Sequence, residues 1–182
     1  MKATLLIALL CLFCFDDTLY QYEFTQIGQE EGTQLSKYKG KKILIVNTAC
    51  NSPYTYQLAG LQQLHSAYGE KLVLIGIPTG ADFEKDEESA TNKQILAFHR
   101  EQYGVTFPVA KKSSAQGAHQ HPIFKYLSGA AKDLGYDEPV IKAPFTKFLI
   151  NEEGKLLAVW GPNVTPLSSE VTAVLNNQKL TY

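Results

Sequence analysis

The stretch 42–69, KILIVNTACNSPYTYQLAGLQQLHSAYG, decides the fold. Its first part, Lys42 to Thr48, is a continuous apolar run of strand length, the pattern of a strand covered on both faces. The second part carries Tyr54, Leu58, Leu61, Leu64 and Tyr68 at helical spacing and closes on Gly69. Ser52 and Pro53 stand at the handover as an N-cap followed by proline at the first helical position, so the spacing predicts a helix over Pro53 to Tyr68. A buried strand that turns tightly into an amphipathic helix opens an α/β layer structure, with Ser52 at the junction.

Working outward, Tyr20 to Gln26 and Glu31 to Leu35 read as a short hairpin, and Leu72 to Ile77 as a second apolar strand. Thr91 to Tyr103 reads as a helix. Thr91 and Gln94 have the spacing of a capping box, Ile95, Phe98 and Tyr103 form an apolar face, and Gly104 ends it. Val105 to Ala110 is expected as a short strand, His121 to Leu127 as a short helix, Phe145 to Ile150 and Leu156 to Trp160 as a hairpin, and Leu167 to Leu175 as a last helix. Strand, helix, strand, helix, hairpin and closing helix is the order of a thioredoxin-like α/β sandwich: a central mixed β-sheet flanked by helices, here with an N-terminal β-hairpin.

The chain has 182 residues and a formal net charge of -1, which fits one domain with a full core and excludes a charge-driven nucleic-acid partner. Met1 and Lys2 lead into an apolar run from Leu5 to Phe15, followed by Asp16 and Asp17. That run is too short to span a bilayer and has the form of a secretory signal. Residues 1–17 are therefore read as a signal peptide and 18–182 as a single domain. The expected location is outside the cytoplasm: periplasmic, extracellular or held at a membrane by the N-terminal segment. Cys11 and Cys14 fall inside that segment, so Cys50 is the one thiol left in the exported domain, either packed as a small apolar residue or reactive.

The chain resembles the glutathione peroxidases over roughly residues 19 to 177. The resemblance is carried by LSKYKGKKILIVNTA at 35–49, YTYQLAGLQQLHSAYG at 54–69, LIGIP at 74–78, TNKQILAF and YGVTFPV between 91 and 109, HPIFKYL at 121–127 and FTKFLINEEGK at 145–155. It implies a thioredoxin-like fold and reduction of hydroperoxides by a cysteine or selenocysteine at a helix N-terminus, where the helix dipole favours the thiolate. Supporting donors in the family are a Gln after the second strand and an adjacent Trp and Asn.

Set against that pattern, this chain has Ser52 at the nucleophile position, Ala81 (or Asp82, if a small insertion falls early) at the Gln position, and Ala143 and Pro144 at the Trp and Asn positions. His99 follows Phe98, where some members keep a resolving cysteine. A serine hydroxyl is a poor nucleophile without a positioned base and forms no sulfenic acid. Because the supporting positions change together with Ser52, the serine reads as native to the chain and as a helix cap. The expectation is a degenerate site with little or no thiol peroxidase activity, acting as a binding module for a small molecule or protein on the former active-site face. The alternative is a residual hydroperoxide reductase or thiol oxidoreductase using Cys50.

The remaining motifs carry less. His119 and His121 share a short spacing without a third ligand, so no metal and no cofactor is expected. Asn163, Val164 and Thr165 form a glycosylation sequon. The short connection from Gly129 to Lys142 resembles family members without an assembly loop, which implies a monomer.

Overall fold

The computed structural model describes residues 18–79, 82–83 and 90–178. The proposed signal segment and Ala81 lie outside these residues. A small sheet pairs β1 (Glu23–Phe24) with β2 (Thr33–Gln34) in antiparallel fashion. The hairpin is shorter than the sequence suggested, because its outer ends wind into 3₁₀ turns at Leu19–Gln21 and Leu35–Tyr38. The main sheet contains β3 (Lys42–Thr48), β4 (Leu72–Pro78), β5 (Lys147–Ile150) and β6 (Leu156–Trp160) in the order β4-β3-β5-β6. β3 and β4 run parallel, while β3 with β5 and β5 with β6 are antiparallel, which makes the sheet mixed.

Helices cover both faces. On one, α3 (Pro122–Asp133) packs Ile123, Phe124, Leu127 and Ala131 over Ile43, Ile45, Phe148 and Ile150. On the other, α1 (Gln57–Tyr68), α2 (Asn92–Tyr103) and α4 (Ser169–Leu175) bring Leu58, Leu61, Leu64, Ile95, Val171 and Leu175 against Leu44, Val46 and Leu149. Two covered faces explain why β3 is buried at every position and reads as an unbroken apolar run.

The capping box forms as the sequence predicts: the Thr91 hydroxyl accepts from the Gln94 N–H at 3.4 Å, and the Gln94 side chain accepts from the Thr91 N–H at 2.9 Å. Gly104 ends α2 at φ 62, in the left-handed region that glycine tolerates best.

Other expectations change. Residues 105–110 make isolated bridges, Gly76 to Val109 and Gln26 to Ala110, rather than a strand, since Pro108 has no N–H to continue a ladder. This segment lies so close to β4 that a Cβ on Gly76 would meet the Phe107 ring at 3.2 Å. Helix α3 runs past Leu127 to Asp133, because Gly129 lies within it facing open space and Ala130 and Ala131 carry the winding on. Helix α1 begins at Gln57, not Pro53, and α4 begins at Ser169, not Leu167.

Candidate functional site

The late start of α1 follows from Thr55. Its buried hydroxyl reaches the Ser52 carbonyl at 2.7 Å and the Ala49 carbonyl at 3.2 Å, and it accepts the Ser52 N–H at 3.1 Å. These bonds draw 52–55 into a tight turn, and the next bonds, Thr55 N to Ser52 O, Gln57 N to Tyr54 O and Leu58 N to Thr55 O, are all three residues long. Within that turn the Ser52 hydroxyl accepts the Tyr54 N–H at 3.2 Å, a cap's task and no sign of an activated nucleophile.

Cys50 lies two residues past the end of β3, half-buried against the cluster that contains Leu58 and Phe107. Its backbone carbonyl receives the Thr55 hydroxyl at 3.4 Å, so Cys50 and Ser52 belong to one compact turn.

The turn at 143–146 is brought to the same end of the sheet by Asn47. This side chain is fully buried, gives its amide N–H to the Ala143 carbonyl at 3.2 Å and accepts the Thr146 N–H at 2.8 Å. Its backbone adds a bond from the Phe145 N–H at 2.6 Å. So held, Phe145 sits at φ 68, an unusual conformation for a bulky buried residue and a local strain the clamp sustains. Pro144 is buried and Ala143 half-buried, and neither side chain can donate a hydrogen bond. The cis peptide bond among the described residues is Glu138–Pro139, not Ala143–Pro144.

A third piece, the turn after β6, closes on the first two. Gln57 donates to the Pro162 carbonyl at 2.6 Å, Tyr54 donates its hydroxyl proton to Asn163 at 3.0 Å, and Lys147 reaches the Gly161 carbonyl at 3.4 Å and the Phe145 carbonyl at 2.7 Å. Burial pushes the Lys147 ammonium down from its ordinary 10.5 to about 7. At the strand ends the hydroxyls of Thr48 and Thr79 are buried without a partner among the described residues.

Other residues singled out in the sequence have separate tasks. His99 is fully buried, its Nδ1 donates to the Ile95 carbonyl at 2.9 Å within its own helix, and burial pushes its pKa down. Asp82 accepts the Ala115 N–H and anchors the 111–121 loop. His121 is the N-cap of α3, its Nδ1 accepting from the Ile123 N–H at 3.2 Å, which leaves His119 exposed on its own. Asn47 and Lys147 were not singled out in the sequence. The available signal was a polar residue inside ILIVNT and a lone charge inside FTKFLI.

Comparison with known proteins bears on the fold and the family. A family model described as glutathione peroxidase matches residues 19–128. A Staphylococcus epidermidis protein named glutathione peroxidase homolog BsaA is 37% identical over 162 residues, covering 85% of this chain and 98% of its own. A Lactococcus lactis protein named glutathione peroxidase is 33% identical, covering 82% and 94%. Among solved structures, one described as Trgpx in apo form superposes with a TM-score of 0.67 at 26% identity, covering 88% of this chain and 97% of that one.

Proposed function

Since the chain belongs to the glutathione peroxidase family, we propose that it is a member with a degenerate peroxidase site, exported by its N-terminal segment and acting as a binding module. Peroxide reduction needs a thiolate beside donors that hold the peroxide oxygen in register. Ser52 supplies no thiolate, and its hydroxyl is already the acceptor for the Tyr54 N–H; this bond carries the reading. Ala143 and Pro144 supply no side-chain donors where the family keeps two. The face they share with the Tyr54, Gln57 and Asn163 contacts keeps its shape through hydrogen bonds while lacking the reacting groups, which leaves recognition of a small molecule or protein as its use.

One observation favours a second reading. Cys50 keeps partial exposure in the same turn, so a residual thiol peroxidase or oxidoreductase activity would run through it. Peroxide consumption by residues 18–182, measured with glutathione and with thioredoxin as separate reductants, distinguishes the two. The proposal expects no turnover above buffer with either. Turnover abolished in Cys50→Ala would overturn it in favour of the second reading.

A further inference from the structure

We propose that Lys147 is a proton-operated latch, joining the 143–146 turn to the 161–163 turn and letting the latter swing away by taking up a proton. The inference goes beyond the binding reading and does not depend on what binds there. The geometry is that of a fully buried lysine nitrogen in reach of two carbonyls, Phe145 and Gly161, and of no carboxylate among the described residues. A protonated amine has three N–H groups and a charge to satisfy, whereas a neutral one can serve both carbonyls with its two.

The surroundings add no compensating charge. Across the ladder, β3 and β6 face Lys147 with Val46 and Trp160. The titratable and charged side chains on the helical elements of this face and the turn leading into α1 are Cys50, Tyr54, Tyr56, His65 and Tyr68 around α1, Lys93, His99, Arg100, Glu101 and Tyr103 on α2, and Glu170 on α4. Burial is what pushes the lysine down. One carbonyl it holds belongs to Phe145, the strained residue at φ 68. The other opens the turn whose next residues, Pro162 and Asn163, grip Gln57 and Tyr54 beside Ser52. Releasing the lysine therefore loosens strain on one side and the grip on the Ser52 turn on the other.

The sign follows from linkage. The closed state takes up its proton near pH 7 and an open, hydrated lysine near 10.5, so opening is accompanied by proton uptake between these values. Closure tightens as pH rises through that window, and below pH 7 the dependence levels off.

Hydrogen exchange, corrected for intrinsic rates, tests this on the amide of Val164, bonded to the Gly161 carbonyl in the released turn, with Leu44 and Ile45 of β3 as reference. At pH 7 the Val164 amide should exchange at least roughly tenfold faster than the reference, and its protection should rise roughly fiftyfold between pH 7 and 9, close to tenfold per unit above the closed-state midpoint. Lys147→Met should remove that rise. Protection that is flat in the native chain, unchanged by the substitution, or equal to that of β3 would overturn the latch. Should Lys147→Met fail to fold, lysine labelled with ¹³C at Cε in the native chain decides: one resonance titrating near 7 supports the proposal, and all titrating near 10.5 refutes it.

Discussion

Replacing Asn47 by alanine tests whether this one side chain holds the 143–146 turn to the sheet. The substitution deletes two buried hydrogen bonds, to the Ala143 carbonyl and from the Thr146 N–H. The losses are unequal. Ala143 keeps the Thr146 hydroxyl at 3.1 Å as a second donor, so its carbonyl remains satisfied. The N–H of Thr146, a residue 1% exposed, is left without an acceptor, which costs about 1–3 kcal/mol. Adding a small cavity at a fully buried site gives a total near 3 kcal/mol, a large part of a typical domain's stability. Urea unfolding of Asn47→Ala should show that loss, and exchange of the Thr146 amide should quicken beyond the global effect. Thr146→Val removes the hydroxyl's bond alone and should cost about 1 kcal/mol. The double variant should exceed the sum of the singles by about 1 kcal/mol, because the Ala143 carbonyl then loses both donors. A single-variant cost under about 1 kcal/mol, with Thr146 protection unchanged, would refute the clamp.

Further predictions concern the scaffold. Thr48→Val removes a buried hydroxyl that has no partner among the described residues and keeps the shape, so it should stabilise by about 1 kcal/mol in urea unfolding. Thr91→Ala breaks the capping box of α2 and should cost about 1 kcal/mol in the same assay. Burial holds the imidazoles of His65, His99 and His121 below their ordinary 6.5, so their neutral forms belong to the fold. Their contribution is complete above pH 6.5 and is lost as pH falls through the lowered values, so unfolding free energy should drop between pH 7 and 5. His99→Gln should shallow that slope, and a slope the same as in the native chain would show that another group carries it.

Local chemistry was legible in the sequence where one segment settles its own structure. The apolar run of β3, the Thr91 and Gln94 capping box and the Gly104 stop each depend on residues within one element, and each formed as expected. Misreadings arose where a neighbour decides. The hydroxyl of Thr55 tightens the turn after Ser52 and delays α1, and Pro108 reduces an extended segment to isolated bridges. The expected connection from Gly129 begins inside the helix, where Gly129 faces open space and its neighbours sustain the winding.

The candidate site was legible only through the family resemblance, which related Ser52 to Ala143 and Pro144. What physically joins them could not be read along the chain. Asn47 meets Thr146 across 99 positions and Gln57 meets Pro162 across 105, and no periodicity encodes such pairings. Ala81 lies outside the described residues.

Whether this site has left thiol peroxide chemistry can be read without any reductant. A single pulse of hydrogen peroxide on residues 18–182 at neutral pH, followed by intact-mass measurement over time, reads the oxidation rate of Cys50, the domain's one thiol. A degenerate site should give a rate no faster than that of free cysteine, with Ser52 unmodified. Oxidation at Cys50 roughly tenfold faster or more would reveal an activated thiolate and contradict it.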